Sequence, residues 1–275
     1  MSTTTTPTGP EISQHTVPVW NGRIRMRMKK AGSGPALVYL HPSGGLRWDP
    51  FLSFLAQHHT VYAPEFPGTS AGDPYAIHAI HDLSNVVLLY EELLRALEIT
   101  SPILVGQSFG GMLAAELAAA FPALATKVVL LDPIGLWREE LPIADWVSAS
   151  PAELATLLFK DPASPAAQSM LALPADPGIA AAAVAATVWS IGCTAKFAWP
   201  IPDRGLRTRL HRLRAPVLLV WGKDDAITPV GYVDDWRGEL ADCQVAIIDD
   251  CGHIPQIEKL PETIAAISRF LRLPA

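Results

Sequence analysis

The feature that most constrains this chain is a serine between two glycines, placed between a short apolar run and an alanine-rich segment. Residues 103–105 are Ile-Leu-Val, which is typical of a buried strand, and residues 112–120 have the spacing of a helix. The pattern Gly-x-Ser-x-Gly occupies residues 106–110 between them. Because a side chain at either glycine would clash, the pattern allows the strand and helix backbones to approach closely. The sequence therefore predicts a sharp strand-to-helix turn with the Ser108 hydroxyl at its tip.

Strand and helix patterns alternate on both sides of this turn. Apolar runs predict further buried strands at residues 36–40, 60–63, 127–131, 216–222 and 244–248. Between residues 134 and 213 the chain instead has helical stretches, eight prolines and four tryptophans, with no convincing strand. This order predicts an α/β fold, in which a mostly parallel central sheet is flanked by helices. The helical insertion follows the strand after the serine turn and should lie above the carboxyl ends of the strands.

The same patterns divide the chain into three parts. Residues 1–18 are expected to form a flexible N-terminal tail, since the start is threonine-rich and has no signal-peptide features. Residues 19–133 and 214–275 form the predicted α/β core. Residues 134–213 form the predicted helical cap.

Composition excludes several classes of function. The net charge of −6 argues against nucleic-acid binding, because phosphate binding needs a basic face. Three cysteines without a Cys-x-x-Cys pair predict neither a disulfide framework nor a zinc site. The longest apolar run, residues 178–189, is too short to span a bilayer, so we expect no membrane insertion and a cytoplasmic protein. No metal, nucleotide or flavin motif is present in the sequence, and no cofactor is expected.

Two further residues complete a candidate catalytic set with Ser108. A serine hydroxyl needs a base within hydrogen-bonding reach, and that base needs an acid to orient it. His253 lies in the predicted loop between the last strand and the last helix, and Asp225 follows the predicted strand 216–222. All three residues therefore come at the carboxyl ends of strands, along one edge of one sheet.

These motifs resemble those of serine hydrolases with the α/β-hydrolase fold and a helical cap, a group related to the meta-cleavage product hydrolases. The resemblance includes the serine turn, the pattern Trp-Gly-x-x-Asp-x-x-x-Pro at residues 221–229 and the pair Gly252-His253. It implies that Ser108 is the nucleophile and His253 the base. Asp225 would be the acid, because family members place it three residues after the glycine. Asp132 remains an alternative, since some relatives carry the acid after the strand that follows the turn.

The resemblance also implies an oxyanion hole made of two backbone N–H groups. Phe109 would supply one of them, directly after the nucleophile. The loop of residues 41–45 would supply the other, but Pro42 stands where the family usually has glycine, and proline has no N–H. The second donor therefore falls on Ser43, with Gly44 as the alternative. His41 is expected to brace this loop through a hydrogen bond.

The expected reaction is cleavage of a small or medium apolar carboxylic ester through an acyl-enzyme, and the partner is a small-molecule ester. Hydrolases that cleave the C–C bond of aromatic ring-cleavage products are the main alternative. They usually carry Asn before the nucleophile and Trp after the histidine, where this chain has Gln107 and Ile254. A slow or non-catalytic ligand receptor of the same fold is a further alternative. Gly44, Gln107, Trp137 and Ile254 are the predicted substrate-pocket residues. Oligomeric state stays open.

Overall fold

A computed structural model describes residues 10–70 and 72–274 of the chain. Its centre is an eight-stranded sheet, built from β1 (Ser13–Val19), β2 (Ile24–Ala31), β3 (Ala36–Leu40), β4 (Thr60–Pro64), β5 (Ile103–Gln107), β6 (Lys127–Leu131), β7 (Val217–Gly222) and β8 (Cys243–Ile248). The spatial order of the strands is β1-β2-β4-β3-β5-β6-β7-β8. All strands from β4 to β8 in this order are parallel, whereas β1 and β2 pair in the antiparallel sense. The expected mostly parallel sheet is confirmed.

From β3 onward, each strand is followed by one or more α-helices. They are α1 (Pro50–Leu55), α2 (Leu83–Ala96), α3 (Phe109–Ala120), α4 (Pro151–Leu158), α5 (Pro165–Leu171), α6 (Pro177–Ala198), α7 (Tyr232–Glu239), α8 (Pro255–Glu258) and α9 (Leu260–Leu271). Several begin at a residue whose side chain caps the first turn. Asp82, for example, accepts a hydrogen bond from the Asn85 N–H at 2.8 Å and starts α2.

Both faces of the sheet are covered by helices, as the continuous apolar strands require. Alternate side chains of a strand point to opposite faces. Leu104 of β5 therefore belongs to the cluster that includes α2 and α3, whereas its neighbour Val105 belongs to the cluster that includes α1 and α9. Both side chains are fully buried. This burial holds the carboxyl end of β5, and with it the serine turn, in a fixed place.

The boundary of the predicted tail is wrong, because residues 13–18 belong to β1. This strand pairs with β2 over its whole length, from Ser13 opposite Lys30 to Val19 opposite Ile24. It is an exposed edge strand with Pro18 inside it, and prolines within sheets are mostly confined to such edges. Polar residues and the proline hide the apolar alternation from the sequence pattern. Of the remainder of the predicted tail, residues 1–9 lie outside the described residues.

The insertion, residues 134–213, is helical as expected. The structure describes all of this segment and places α4, α5, α6 and a short 3₁₀ turn in it, with no strand. Helix α6 is long and apolar enough to cross a bilayer by length and composition, and 17% of its most apolar stretch is buried. The apolar run identified in the sequence, residues 178–189, is part of this longer helix, which continues to Ala198.

Candidate functional site

Ser108 lies on the turn between β5 and α3 in a backbone conformation that residues other than glycine rarely adopt. Its φ of 55° and ψ of −117° are strained, and such strain is concentrated at functional sites. The flanking glycines make the turn possible. A Cβ on Gly106 would lie 2.2 Å from the Gly110 carbonyl oxygen, and one on Gly110 would lie 1.9 Å from the Leu40 carbonyl oxygen. The sharp turn predicted from the glycine pattern is therefore present.

A continuous hydrogen-bond chain connects Ser108, His253 and Asp225. His253 Nε2 lies 2.8 Å from Ser108 Oγ, and His253 Nδ1 lies 2.8 Å from Asp225 Oδ2. A carboxylate only accepts hydrogen bonds, so the tautomer that satisfies both contacts has its proton on Nδ1 and its Nε2 lone pair toward the serine hydroxyl. Nε2 is then the atom that could take the proton of Ser108.

The loop after β7 holds Asp225 firmly in this chain. Its second carboxylate oxygen, Oδ1, accepts the backbone N–H groups of Ile227 at 2.8 Å and Thr228 at 2.9 Å. Three donors therefore converge on one buried carboxylate. The neighbouring Asp224 points elsewhere, since its carboxylate pairs with Lys160 Nζ at 2.6 Å.

Asp132, the alternative acid, is fully buried beside Asp225. Its Oδ1 accepts the Gly222 N–H at 2.8 Å, which joins the ends of β6 and β7. Burial, and secondarily the charge of Asp225, raise the pKa of Asp132 well above its ordinary value. Oxygens of Asp132 and Asp225 and a ring nitrogen of His253 lie within 4.8 Å of one another, a spacing that metal ligands can have. Both ring nitrogens of His253 already have partners, so a metal ion would have to break the chain with Ser108.

The loop of residues 41–45 faces the serine turn from the carboxyl end of β3. Among the residues that the structure describes, the N–H groups of Phe109, Ser43 and Gly44 meet no acceptor. They are therefore available to an oxyanion. Ser43 is buried, whereas Gly44 is exposed.

His41 braces this loop. Its Nδ1 lies 2.7 Å from the Pro42 carbonyl oxygen and its Nε2 accepts the Phe66 N–H at 2.8 Å. These two bonds fit a neutral ring with its proton on Nδ1, and burial lowers the pKa of His41 to about 4. The expected bracing hydrogen bond is present.

The insertion is hydrogen-bonded to both sides of the site. Ser190 of α6 donates its hydroxyl to the Ser43 carbonyl at 2.9 Å. On the other side, the His253 N–H donates to the Leu158 carbonyl at the end of α4, also at 2.9 Å. The insertion therefore touches the candidate oxyanion loop and the candidate base directly.

Glu258 strengthens the second contact and was not found by the sequence patterns. One of its carboxylate oxygens accepts the Gly252 N–H at 2.7 Å, and the other accepts the Lys160 N–H at 2.9 Å. A single carboxylate thus clamps the histidine loop to the insertion. No motif marks such a residue, because its partners are backbone groups of two segments that lie far apart in the sequence.

The predicted pocket residues have different surroundings. Gln107 is buried, and its amide donates to the His253 carbonyl at 2.8 Å, so its side chain holds the histidine loop. Ile254 is buried in a cluster with Phe159 of the insertion. Trp137 is half-buried, and its indole N–H donates to Glu139. Gly44 has open space where a side chain would begin.

Comparisons with known sequences place the chain among hydrolases. A sequence model of the alpha/beta hydrolase family matches residues 37–267. The chain is 26% identical over 258 residues to the 2-hydroxy-6-oxo-6-phenylhexa-2,4-dienoate hydrolase of Burkholderia cepacia, a match that covers 86% of this chain and 87% of that protein. It is 25% identical over 247 residues to the pimeloyl-(acyl-carrier protein) methyl ester esterase of Nitrosomonas europaea, with 84% and 93% covered.

Solved structures share the fold as well. The 2-hydroxy-6-oxo-6-phenylhexa-2,4-dienoate hydrolase of a Rhodococcus species superimposes with a TM-score of 0.72 at 23% identity. The superposition covers 96% of this chain and 99% of that one. The relatives thus include enzymes named for ester cleavage and enzymes named for dienoate hydrolysis.

Proposed function

Because this chain belongs to the alpha/beta hydrolase family, we propose that it is a serine hydrolase that cleaves carboxylic esters through an acyl-enzyme. The observation that carries the proposal is the chain of 2.8 Å contacts from Ser108 through His253 to Asp225. A strained turn presents this serine, and unpaired backbone N–H groups lie beside it. Together these are the parts that acyl transfer requires.

In the proposed reaction Ser108 Oγ attacks the ester carbonyl carbon while His253 Nε2 takes the hydroxyl proton. Asp225 stabilises the imidazolium that forms. The carbonyl oxygen becomes an oxyanion that the N–H groups of Phe109 and Ser43 stabilise. Collapse of this intermediate expels the alcohol, which takes the proton from Nε2. A water molecule then repeats the sequence on the acyl-enzyme and releases the carboxylic acid and free Ser108.

We propose an uncharged substrate of small or medium size. Residues 177–195, which form most of α6, contain no Lys, Arg, Asp or Glu. This helix contacts the oxyanion loop through Ser190, so an uncharged helix borders that side of the site. A substrate carboxylate would find no cation on this stretch. Apolar acyl and alcohol groups fit such a surface, and residues 134–213 would then act as a cap.

The nucleophile is tested with short p-nitrophenyl esters and with a fluorophosphonate that labels reactive serines. Ser108→Ala should lose at least about 10³-fold in kcat and all covalent labelling, because the attacking oxygen is removed. Ser148→Ala is the matched control, since Ser148 is an exposed serine of the insertion. Retained ester hydrolysis in Ser108→Ala would exclude the assignment.

A second candidate is hydrolysis of a C–C bond in a ring-cleavage dienoate, which the name of the Burkholderia cepacia relative favours. A panel of esters with graded acyl length, run beside such a dienoate, distinguishes the two reactions. We expect kcat/KM to be higher for an ester. A higher value for the dienoate would select the second candidate. Very slow turnover of every substrate, together with a ligand-dependent rise in Tm, would instead identify a receptor.

A further inference from the structure

Two buried carboxyl groups lie side by side behind the histidine. Asp132 ends β6 and Asp225 follows β7, and both side chains are inaccessible to solvent. One oxygen of Asp132 lies within 4.8 Å of an oxygen of Asp225 and of a ring nitrogen of His253. Two ionised carboxylates this close in a low-dielectric site repel each other, and this repulsion favours a proton on one of them.

Only one of the two carboxyl oxygens of Asp132 has a hydrogen-bond partner among the described residues. Oδ1 accepts the Gly222 N–H at 2.8 Å, but Oδ2 has no hydrogen-bond partner within the described part of the chain. Buried polar atoms without partners are rare and need an explanation. A protonated Oδ2 provides one, because an O–H group can donate to the neighbouring carboxylate.

The donors around the two groups decide which of them carries the proton. Asp225 accepts three N–H groups and Asp132 accepts one, and donors stabilise the charged form of a carboxyl group. The surroundings of Asp132 add to this difference. The negative charge of Glu258 disfavours an anion at Asp132, and the buried Cys251 thiol stays neutral because its own pKa is raised.

We propose that Asp132 is a neutral carboxylic acid that donates a hydrogen bond to the Asp225 carboxylate and serves as a positioning residue for the triad. The role in catalysis rests on the proposed function, whereas the protonation state does not. While Asp225 is present, Asp132 keeps its proton. When the charge of Asp225 is removed, its repulsion is removed as well, but Asp132 is still buried. Asp132 then ionises as the His253 imidazolium forms within 4.8 Å of it: the Asp132 proton passes to solvent, and the two opposite charges stabilise each other.

Infrared spectroscopy tests the protonation state without any substrate. At pH 8, where Asp49 is ionised because its pKa is about 6, the wild-type protein should show the C=O stretch of a neutral carboxylic acid, and Asp132→Asn should lack it. Asp249→Asn is the control, because its exposed carboxylate pairs with Lys223 at 2.7 Å and its replacement should leave the band in place. Absence of the band from the wild type, or its persistence in Asp132→Asn, overturns the proposal.

A double-mutant cycle on ester hydrolysis tests the role in catalysis. Loss of a triad acid costs about 10⁴-fold in kcat in a well-studied triad. Here we expect Asp225→Asn to keep at least about tenfold more activity than the double variant Asp225→Asn/Asp132→Asn, because Asp132 can replace the lost charge. Asp132→Asn alone should cost about threefold, since the amide still donates to Asp225. Equal effects of Asp132→Asn in both backgrounds would refute the positioning role.

The protonation measurement does not depend on the stability of the variants. If Asp132→Asn does not fold, wild-type protein with ¹³C in the aspartate side-chain carboxyls reports the same state. One buried aspartate should then show the chemical shift of a neutral acid at pH 8. A spectrum in which every aspartate is ionised contradicts the proposal. If ester hydrolysis itself is not found, the infrared and ¹³C results still decide the state of Asp132.

Discussion

The backbone N–H of His253 donates to the carbonyl of Leu158 at 2.9 Å, so the candidate base and the insertion are joined by a direct hydrogen bond. The contact is close: a Cβ on the preceding Gly252 would lie 2.8 Å from the same carbonyl oxygen. Glu258 reinforces it by accepting N–H groups from Gly252 and Lys160. A displacement of the insertion is therefore expected to move the imidazole relative to Ser108.

Loss of the Glu258 clamp should lower kcat more than it raises KM. We expect Glu258→Ala to reduce kcat by about 10- to 100-fold, because a misplacement of about 1 Å in a catalytic group can cost that much. Ester hydrolysis by the variant measures the effect, and Glu262→Ala, an exposed residue of α9, is the control. A Glu258→Ala variant with wild-type kcat would show that Leu158 alone holds the histidine loop.

The second oxyanion donor can be identified by removing an N–H group while keeping the chain intact. Ser43→Pro deletes the backbone donor, and we expect kcat to fall by about 10²- to 10³-fold, as for other lost oxyanion donors. Ser43→Ala keeps the N–H and should lose less than about tenfold. If Ser43→Pro folds and is as active as Ser43→Ala, the donor is Gly44.

Gly110 should be intolerant of any side chain. A Cβ there would lie 1.9 Å from the Leu40 carbonyl oxygen, so the backbone of β3 or α3 would have to shift. We expect Gly110→Ala to lower the free energy of unfolding by more than about 2 kcal/mol, within the range for overpacked positions. The control is Gly238→Ala in α7, where the added Cβ meets nothing within 4 Å. That substitution should stabilise by about 0.5–1 kcal/mol through helix propensity. Equilibrium denaturation measures both.

Acid should destabilise the protein partly through His41. Burial lowers the pKa of His41 in the folded state to about 4, so its ring stays neutral in the folded protein down to about that pH. In the unfolded chain the ring binds a proton below about pH 6.5. The contribution of neutral His41 to the free energy of unfolding is complete above pH 6.5 and is lost as the pH falls toward 4. This loss is worth about 3 kcal/mol, from about 1.4 kcal/mol per pKa unit.

A variant comparison isolates this contribution. Asp49 acts in the opposite direction, since burial raises its pKa to about 6 and the folded state binds that proton first. Asp49 contributes equally to wild type and His41→Asn, so its effect cancels in the difference between their free energies of unfolding. We expect the gap to narrow by about 3 kcal/mol from pH 7 to pH 4. A gap that does not change with pH would contradict a buried neutral His41. His211→Asn is the control for loss of an exposed imidazole.

Much of the fold could be predicted from the sequence, because the central strands are continuous apolar runs between turn residues. Strand β1 could not, since an exposed edge strand is stabilised by backbone pairing to β2, which leaves little trace in its side chains. The hydrogen-bond partners of the predicted pocket residues could not be predicted from the sequence either. Gln107 donates to the carbonyl of His253, 146 residues away, and no local pattern indicates such a contact.

The sequence by itself determined the serine turn and the order of Ser108, Asp225 and His253. Their positions follow from local rules: glycines where side chains would clash, and polar residues directly after apolar strands. Only the tertiary structure decided that Asp225, and not Asp132, contacts His253 Nδ1. Both acids follow strands of the same sheet, so their roles depend on how β6 and β7 are paired and on which carboxylate receives more N–H donors. Those are properties of packing between distant segments, which residue spacing does not contain.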